Sequence, residues 1–398
     1  MNIVKKTYCR LLQLGFKMAI PLLPYREPEI LDSMEQIPKT LKKHQKNKIL
    51  IVTDYGITKV GLGEKLKNIL DEAGIAYAYF DETVANPTIE NVEKARALYI
   101  DAECNALIAL GGGSAMDCAK AVGARIARPK LSIQKMRGIF KVRKKIPLLI
   151  AIPTTAGTGS ETTVAAVITD ENTHYKFPIN DFSLIPRYAV LDPTITYSLP
   201  KHLTSTTGMD ALTHAVEAYI GRSTTPTTRK KAENAVKLIK ENLKYAYDNG
   251  YDEKARRNML KASFDAGIAF TVSYVGYVHG IAHSLGGQYG IPHGLANAVL
   301  LPYVLEDCQS VCQKKLAKLA HIAEIADPAD EDELASTKFI AWIRDMNSSM
   351  NIPTKLDGIH EEDIPQMAKM ADKESNPLYP VPVLMNAKEL EKFYRMVM

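Results

Sequence analysis

Asp210 and His214 stand four residues apart in GMDALTHAVEAY, a spacing that puts both side chains on one face of a helix, one turn apart. Downstream, GYVHGIAHSLGGQYGIPHG gathers His279, His283 and His293, so that these two segments hold four of the chain's nine histidines. A lone Asp-x-x-x-His is usually an exposed hydrogen-bonded pair, but core histidines rarely cluster in this way. A carboxylate with several imidazoles is a donor set of intermediate softness, suited to Fe(II), Zn(II) or a neighbouring divalent ion and not to Ca(II) or a thiolate-preferring metal. An ion held with one position open acts as a Lewis acid, lowering the pKa of an alcohol or polarising an aldehyde carbonyl. With a nicotinamide ring alongside, that is sufficient chemistry for reversible hydride transfer.

A second signal lies in Leu110 to Lys120, LGGGSAMDCAK, where an apolar strand runs into three glycines, then Ser114 and Asp117, then helix-forming residues. Glycines let the backbone approach a phosphate, and the N-terminus of the following helix offers free N–H groups. The plainer alternative is a strand-to-helix turn in which Ser114 and Asp117 start the helix. The spacing G-x-G-x-x-G is absent, and no acidic residue follows at the usual distance. Asp54 instead ends the first strand, ILIVTD, where a carboxylate could accept hydrogen bonds from a ribose diol and repel a 2′-phosphate, or merely cap a turn. Pro153 to Glu161, PTTAGTGSE, combines two glycines with the hydroxyls of Thr154, Thr155, Thr158 and Ser160, and suits either a sugar-phosphate or a loop.

These residues need elements to position them. From Lys48 onward, short apolar runs alternate with longer amphipathic ones, the pattern of a parallel sheet with crossover helices. Ile49–Thr53, Ala76–Phe80, Ala106–Leu110, Leu148–Ile152, Val164–Thr169 and Tyr188–Leu191 read as strands, and Leu62–Ala73 and Ile89–Ala102 as helices. After Pro200 the period changes to 3.6, predicting helices over Thr207–Tyr219, Thr227–Tyr247, Tyr251–Phe270, His293–Cys312 and Lys314–Ile325. The change places a domain boundary, and with it a cleft, at residues 190–200: an α/β domain over 1–195 and a helical domain over 196–398.

A chain of 398 residues is long enough for two cores, and 46% hydrophobic with 24% charged residues excludes a disordered or fibrous protein. A net charge of +5, from 50 basic and 45 acidic residues, does not indicate a nucleic-acid partner, and the basic run Lys130–Lys145 reads as a solvated loop. The five cysteines form no CxxC pair, which fits a reducing, cytoplasmic compartment. Arg10 and Lys17 interrupt the apolar N-terminus, so neither a signal peptide nor a membrane anchor is expected.

From about Pro24 to the C-terminus the chain resembles the iron-containing, group III alcohol dehydrogenases. GGGSAMDCAK, PTTAGTGSE and GYVHGIAHSLGG…IPHG carry the resemblance, in that order. It implies an α/β N-terminal dinucleotide-binding domain, with a parallel sheet in a Rossmann-like variant, and an all-α C-terminal metal-binding domain. It implies Asp210, His214, His279 and His293 as ligands of Fe(II), with Zn(II) as the alternative ion. His283 becomes the further histidine at the active site, where it or a water would relay the hydroxyl proton. Gly112, Gly113 and Ser114 would hold the pyrophosphate, and Asp117 of the same motif is expected to bind the cofactor as well. Thr154, Thr155, Thr158 and Lys176 would contact the cofactor, Asn86 would sit near its adenosine half, and Asp54 would select NAD over NADP. A homodimer acting on a small alcohol, aldehyde or diol follows from the same resemblance. PEILDSMEQI lacks the glycine usual before the family's first helix, and Leu378 stands where arginine is common. A lyase similar to the dehydroquinate synthases is the competing expectation; Tyr274, Tyr277, Tyr289 and Ile291 fit an uncharged alcohol better than a phosphorylated acid.

Overall fold

A computed structural model describes residues 1–171 and 175–398. These form two compact units, one of Pro24–Ser198 and one of Met1–Leu23 with Leu199–Met398.

The first unit is built on six parallel strands in the order β1-β9-β6-β4-β2-β3: β1 (Glu29–Leu31), β2 (Lys48–Val52), β3 (Ala76–Phe80), β4 (Ala106–Gly111), β6 (Leu148–Pro153) and β9 (Tyr188–Val190). Every residue of β4 is buried, as expected of a parallel strand covered on both faces. Alternation divides its neighbours. Leu50, Val52, Leu107 and Ala109 pack with Val92 and Ala95 of helix Ile89–Asp101 and with Met116 and Val122 of helix Gly113–Ala127. Ile49, Ile51, Ile108 and Leu110 pack on the other face with Leu66 and Leu70 of helix Leu62–Glu72. From β2 the chain crosses to β3 on one side, then returns past β2 to β4 and proceeds the other way through β6 to β9. The direction therefore reverses between β2 and β4, and the carboxyl ends of two such strands make the usual ligand crevice of an open parallel sheet.

The strand expected at Val164–Thr169 exists as β7 (Ala165–Asp170) but lies outside the parallel sheet. It pairs antiparallel with β8 (Tyr175–Asn180), which pairs in turn with the two-residue β5 (Gly138–Ile139). A run of alternating residues specifies a half-buried strand but not its partner.

The second unit is helical, as the change of period predicted: Lys201–Ile220, Pro226–Asp248, Glu253–Ser273, Tyr277–Tyr289, His293–Ile322, Asp332–Ser349, Ile364–Ser375 and Ala387–Val397 are its main helices after Leu199. His293–Cys312 and Lys314–Ile325, expected as two helices, form one, with Pro302 inside it. No glycine separates the two halves, so the helix continues. The division falls at Ser198, and the first 23 residues belong with the helical unit and not with the α/β unit. Polar bonds from helix Ile3–Ala19 to segment 372–389 account for this; Arg10, for example, donates to the carbonyls of Val381 and Pro382. All five cysteines are buried and free. No helix among the described residues is long and apolar enough to cross a membrane.

Candidate metal centre and cofactor cradle

The helix Lys201–Ile220 is buried on almost every side from Gly208 to Ile220, so its polar residues must be satisfied inside the protein. Asp210, His214 and Glu217 follow one another at i, i+4 and i+7, along one stripe, and all three are buried. His279 comes from helix Tyr277–Tyr289 and His293 from the first position of helix His293–Ile322. One ligand atom each from Asp210, His214, His279 and His293 lies within 4.8 Å of the others. His279 Nε2 is 3.7 Å, and His293 Nε2 3.4 Å, from Asp210 Oδ1. Two donors each bonded at about 2.1 Å to one tetrahedral ion would stand about 3.4 Å apart, so these separations fit a shared metal. His279 Nε2 is buried and has no hydrogen-bond partner, as expected of an atom meant for an ion. The His214 ring is held between Phe270, at 4.1 Å between centroids, and His279, at 4.4 Å.

Glu217 was not singled out from the sequence, and it does three things at once. It accepts from His279 Nδ1 at 2.6 Å and from the backbone N–H groups of Gly276 and Val278 at 2.8 Å each. The carboxylate thus caps the helix that carries His279 and, in the neutral ring that a metal takes, fixes the tautomer that leaves Nε2 as the lone-pair nitrogen. Gly276 makes the approach possible, because a Cβ there would lie 2.6 Å from Glu217 Oε1. Asn297, one turn beyond His293, donates to Asp210 Oδ1 at 2.7 Å and steadies the carboxylate, and the same amide nitrogen lies 3.0 Å from His293 Nε2. Both residues could have been found in the sequence as further members of helical stripes already holding a ligand candidate.

Burial opposes ionisation of Asp210, but the imidazoles of His214, His293 and His279 outweigh it and hold the carboxyl well below the usual range. Burial also works against a charge on His279, yet Asp210 and Glu217 outweigh it and hold the ring up at about 9. For His293 burial prevails over Asp210 and pushes its pKa down. A metal takes the neutral ring, so occupation of such a site expels the His279 proton.

His283, one turn after His279, is not part of the four-residue cluster. Its Nδ1 lies 2.6 Å from Glu374 Oε1, which also accepts from the Tyr379 hydroxyl at 2.7 Å. Its ring is 5.1 Å from that of His293, nearly parallel to it. Glu374 lies far along the chain from His283, and no local spacing announced it.

In the α/β unit, β4 ends in the glycine turn and Gly112 caps helix Gly113–Ala127 without any side-chain bond, leaving its first N–H groups open to an anion. Gly111 has φ +152°, and a Cβ on it would meet Ala115 at 2.7 Å, which restricts the position to glycine. Thr155 lies against Gly112 and Thr158 against Gly113, and the Thr154 N–H donates to the Gly111 carbonyl at 3.1 Å. The backbone N–H of Asn86, in the left-handed region, donates to Ser114 Oγ at 3.3 Å. Asp54 stands at the end of β2 beside the turn and caps helix Tyr55–Lys59 through Oδ1, at 3.1 Å from the Ile57 N–H. The structure therefore brings Asp54, Asn86, Gly112, Gly113, Ser114, Thr154, Thr155 and Thr158 to the carboxyl ends of β2, β4 and β6. Lys176 is on β8, exposed and paired in register with Thr169, whose N–H donates to the Pro87 carbonyl beside Asn86. Asp117 is engaged internally, accepting from Ser160 Oγ and the Val167 N–H at 3.0 Å each.

Residues 31–193 match the iron-containing alcohol dehydrogenase family and residues 204–398 its C-terminal part. The chain belongs to the iron-containing alcohol dehydrogenase family. It is 39% identical to the 1,3-propanediol dehydrogenase of Klebsiella pneumoniae over 87% of this chain and 90% of that one. It is 46% identical to alcohol dehydrogenase 4 of Schizosaccharomyces pombe over 68% of this chain, a match that spans 64% of the yeast protein. A solved 1,3-propanediol oxidoreductase superimposes with a TM-score of 0.90 at 36% identity, covering 94% of this chain and 99% of that one. These likenesses decide for the dehydrogenase expectation over the lyase, and the oxidoreductase class follows.

Proposed function

We propose that this alcohol dehydrogenase transfers hydride reversibly between NAD(H) and a small primary alcohol, its aldehyde or a diol, at Fe(II) held by Asp210, His214, His279 and His293. Zn(II) suits the same donors. The observation that carries the reading is the convergence of these four residues, three of them buried and His293 half-buried, with the unpartnered Nε2 of His279 among them. The propanediol and alcohol dehydrogenases among the relatives favour a short, uncharged substrate for this chain as well. When bound, the ion polarises the substrate oxygen and nicotinamide exchanges the hydride.

The chain's own residues set the conditions. Glu217 and Asn297 hold His279 and Asp210 in place before any ligand arrives. Glu374 accepts a hydrogen bond from His283 Nδ1, so Nε2 is the ring nitrogen left to accept the hydroxyl proton of the alcohol and pass it on to water. On the α/β unit, the glycine turn, with Gly112, Gly113 and Ser114, receives the pyrophosphate. Thr154, Thr155, Thr158 and Lys176 contact the rest of the cofactor, Asn86 lies toward the adenosine, and Asp54 disfavours a 2′-phosphate. Asp117 supports the turn through Ser160 instead of touching the nucleotide. The free thiols fit a reducing cytoplasm, and a homodimer is the assembly we adopt.

The test is NADH formation by the Fe(II)-loaded protein over a panel of short alcohols and diols, with NAD and NADP in parallel and chelator-treated protein as control. Metal-dependent NADH production supports the reading. Equal rates in chelated protein would remove the metal from it, and silence across the panel with metal and NAD both bound would remove the substrate class.

A further inference from the structure

The helix Ile3–Ala19 is amphipathic, but it docks by the wrong edge. Its inner side holds the chain mainly through polar bonds, beside the buried Cys9 and Phe16, which meets Tyr274 edge-on. Arg10 donates to the carbonyls of Val381 and Pro382 at 2.7 Å each, and Gln13 to those of Pro377 and Tyr379 at 3.1 and 2.7 Å. Lys5 pairs with Asp372 and the N-terminal ammonium with Glu389. Only Cys9 and Gln13 of the helix are buried. Its outer side is apolar: Ile3, Val4, Leu11, Leu14 and Met18 recur at helical spacing along one stripe, which Leu22 extends. They are 80%, 74%, 64%, 52%, 67% and 85% exposed.

A helix on a soluble protein ordinarily turns such a stripe inward, and a contiguous apolar face left in water marks a binding surface. The family match begins at residue 31, so the stripe is an addition to the matched region. Charge identifies the occupant. Lys6, Arg10 and Lys17 run along one flank of the stripe, Lys6 and Lys17 are exposed, and no acidic residue occurs before Glu27. A second copy of the same helix would bring two basic flanks together with no acid to offset them. A surface of lipid phosphates would neutralise them.

We infer that helix Ile3–Ala19 binds an anionic lipid bilayer, lying in its surface with the apolar stripe in the headgroup–acyl boundary and Lys6 and Lys17 among the phosphates. This is attachment to a face of the membrane, compatible with the lack of any spanning helix among the described residues. The polar inner edge is then what holds the catalytic chain to the lipid-bound helix.

The experiment is cosedimentation of the purified full chain with vesicles of phosphatidylcholine alone or mixed with phosphatidylglycerol. The protein is expected to bind the mixed vesicles and not the neutral ones, and to be released by raised salt. Replacing two lysines, Lys6→Gln with Lys17→Gln, should weaken partitioning roughly thirtyfold. Leu11→Gln with Met18→Gln should weaken it at least about tenfold. All four side chains are solvent-exposed, so the thermal midpoint of each double variant should match the parent, a control for folding. Failure of the parent to bind mixed vesicles, or binding unchanged in the Leu11 and Met18 variant, overturns the inference. Loss of self-association in that variant, with vesicle binding intact, overturns it in favour of a subunit contact.

Discussion

The two units treat buried charge in opposite ways. In the α/β unit, Lys120 is fully buried and its ammonium is shared among the Ser160 carbonyl, Ser160 Oγ, Thr163 Oγ1 and the Ala165 carbonyl, at 2.7–3.0 Å. Asp117 closes the same network from below. Every bond that lysine can make is spent on holding the loop after β6. In the helical unit, Asp210, His214 and His279 are as deeply buried, yet they converge on one point and His279 Nε2 is left without a hydrogen bond. A buried polar network that closes on itself fixes shape, whereas one that leaves a donor set open specifies a ligand.

Removing the charge at the open network should break the comparison most severely. Asp210→Asn leaves the fold's volume intact but takes away the anionic ligand; bound metal, measured by elemental mass spectrometry, should fall to background and turnover by about a thousandfold or more. Retention of stoichiometric metal would show that the cluster is an internal network like that of Lys120. His283→Ala should retain metal and lower kcat by about a hundredfold, with the change concentrated in the pH dependence of kcat. An unchanged rate and pH profile would assign His283 and Glu374 to packing.

The next effect separates orientation from ligation. Glu217→Gln keeps the shape but weakens the hold on His279 Nδ1 and on the helix N-terminus, and should lower metal affinity about 10- to 100-fold, read by titrating metal into the apo protein. Glu217→Ala should add a loss of about 2 kcal/mol of stability from the two orphaned N–H groups, with or without metal. If both variants bind metal as the parent does, the carboxylate is only a helix cap.

Glu161, a buried carboxyl near Lys120 but outside its hydrogen-bonded network, has its own signature. Burial raises the Glu161 pKa to about 7, and its Oε1 has no hydrogen-bond partner. A raised folded-state pKa means that the contribution of this group is fully present below the unfolded pKa, near 4.5, and is lost as pH rises through 7. Relative to Glu161→Gln, the parent should therefore lose up to about 3 kcal/mol of stability between those limits, followed by denaturant unfolding at several pH values. A constant difference across the range would mean that Glu161 stays charged in the folded chain.

Much of this was legible in the sequence, for identifiable reasons. Asp210 and His214 are one helical turn apart, and five of the six parallel strands are apolar runs that patterning located; β1, three residues beginning with Glu29, gave no such signal. The helix Tyr277–Tyr289 escaped because Gly280, Gly286 and Gly287 weaken its local propensity; its formation depends on packing and on a cap supplied by Glu217, from another helix. The His283–Glu374 pair, like the antiparallel pairing of β7 with β8, joins residues that no local period relates. Asp117 shows the converse. It sits within a glycine motif that resembles a phosphate site, yet its oxygens serve Ser160 and Val167, a use visible only once the loop after β6 has been placed beside it.

The smallest effect is expected at Asp54, where a structural and a selective role coexist. Its Oδ1 caps helix Tyr55–Lys59, and it stands at the end of β2 beside the glycine turn, where the sheet reverses direction. Asparagine is as good a cap as aspartate, so Asp54→Asn should leave stability nearly unchanged while removing the charge that opposes a 2′-phosphate. One such like-charge contact near a protein surface is worth about 1–2 kcal/mol, and the preference for NAD over NADP, taken from the ratio of kcat/KM values, should relax about tenfold. A drop in stability with the cofactor ratio unchanged would make Asp54 a cap and nothing more, and would move the selection of NAD to the backbone and hydroxyls of the turn, the part of the cradle that carries no charge at all.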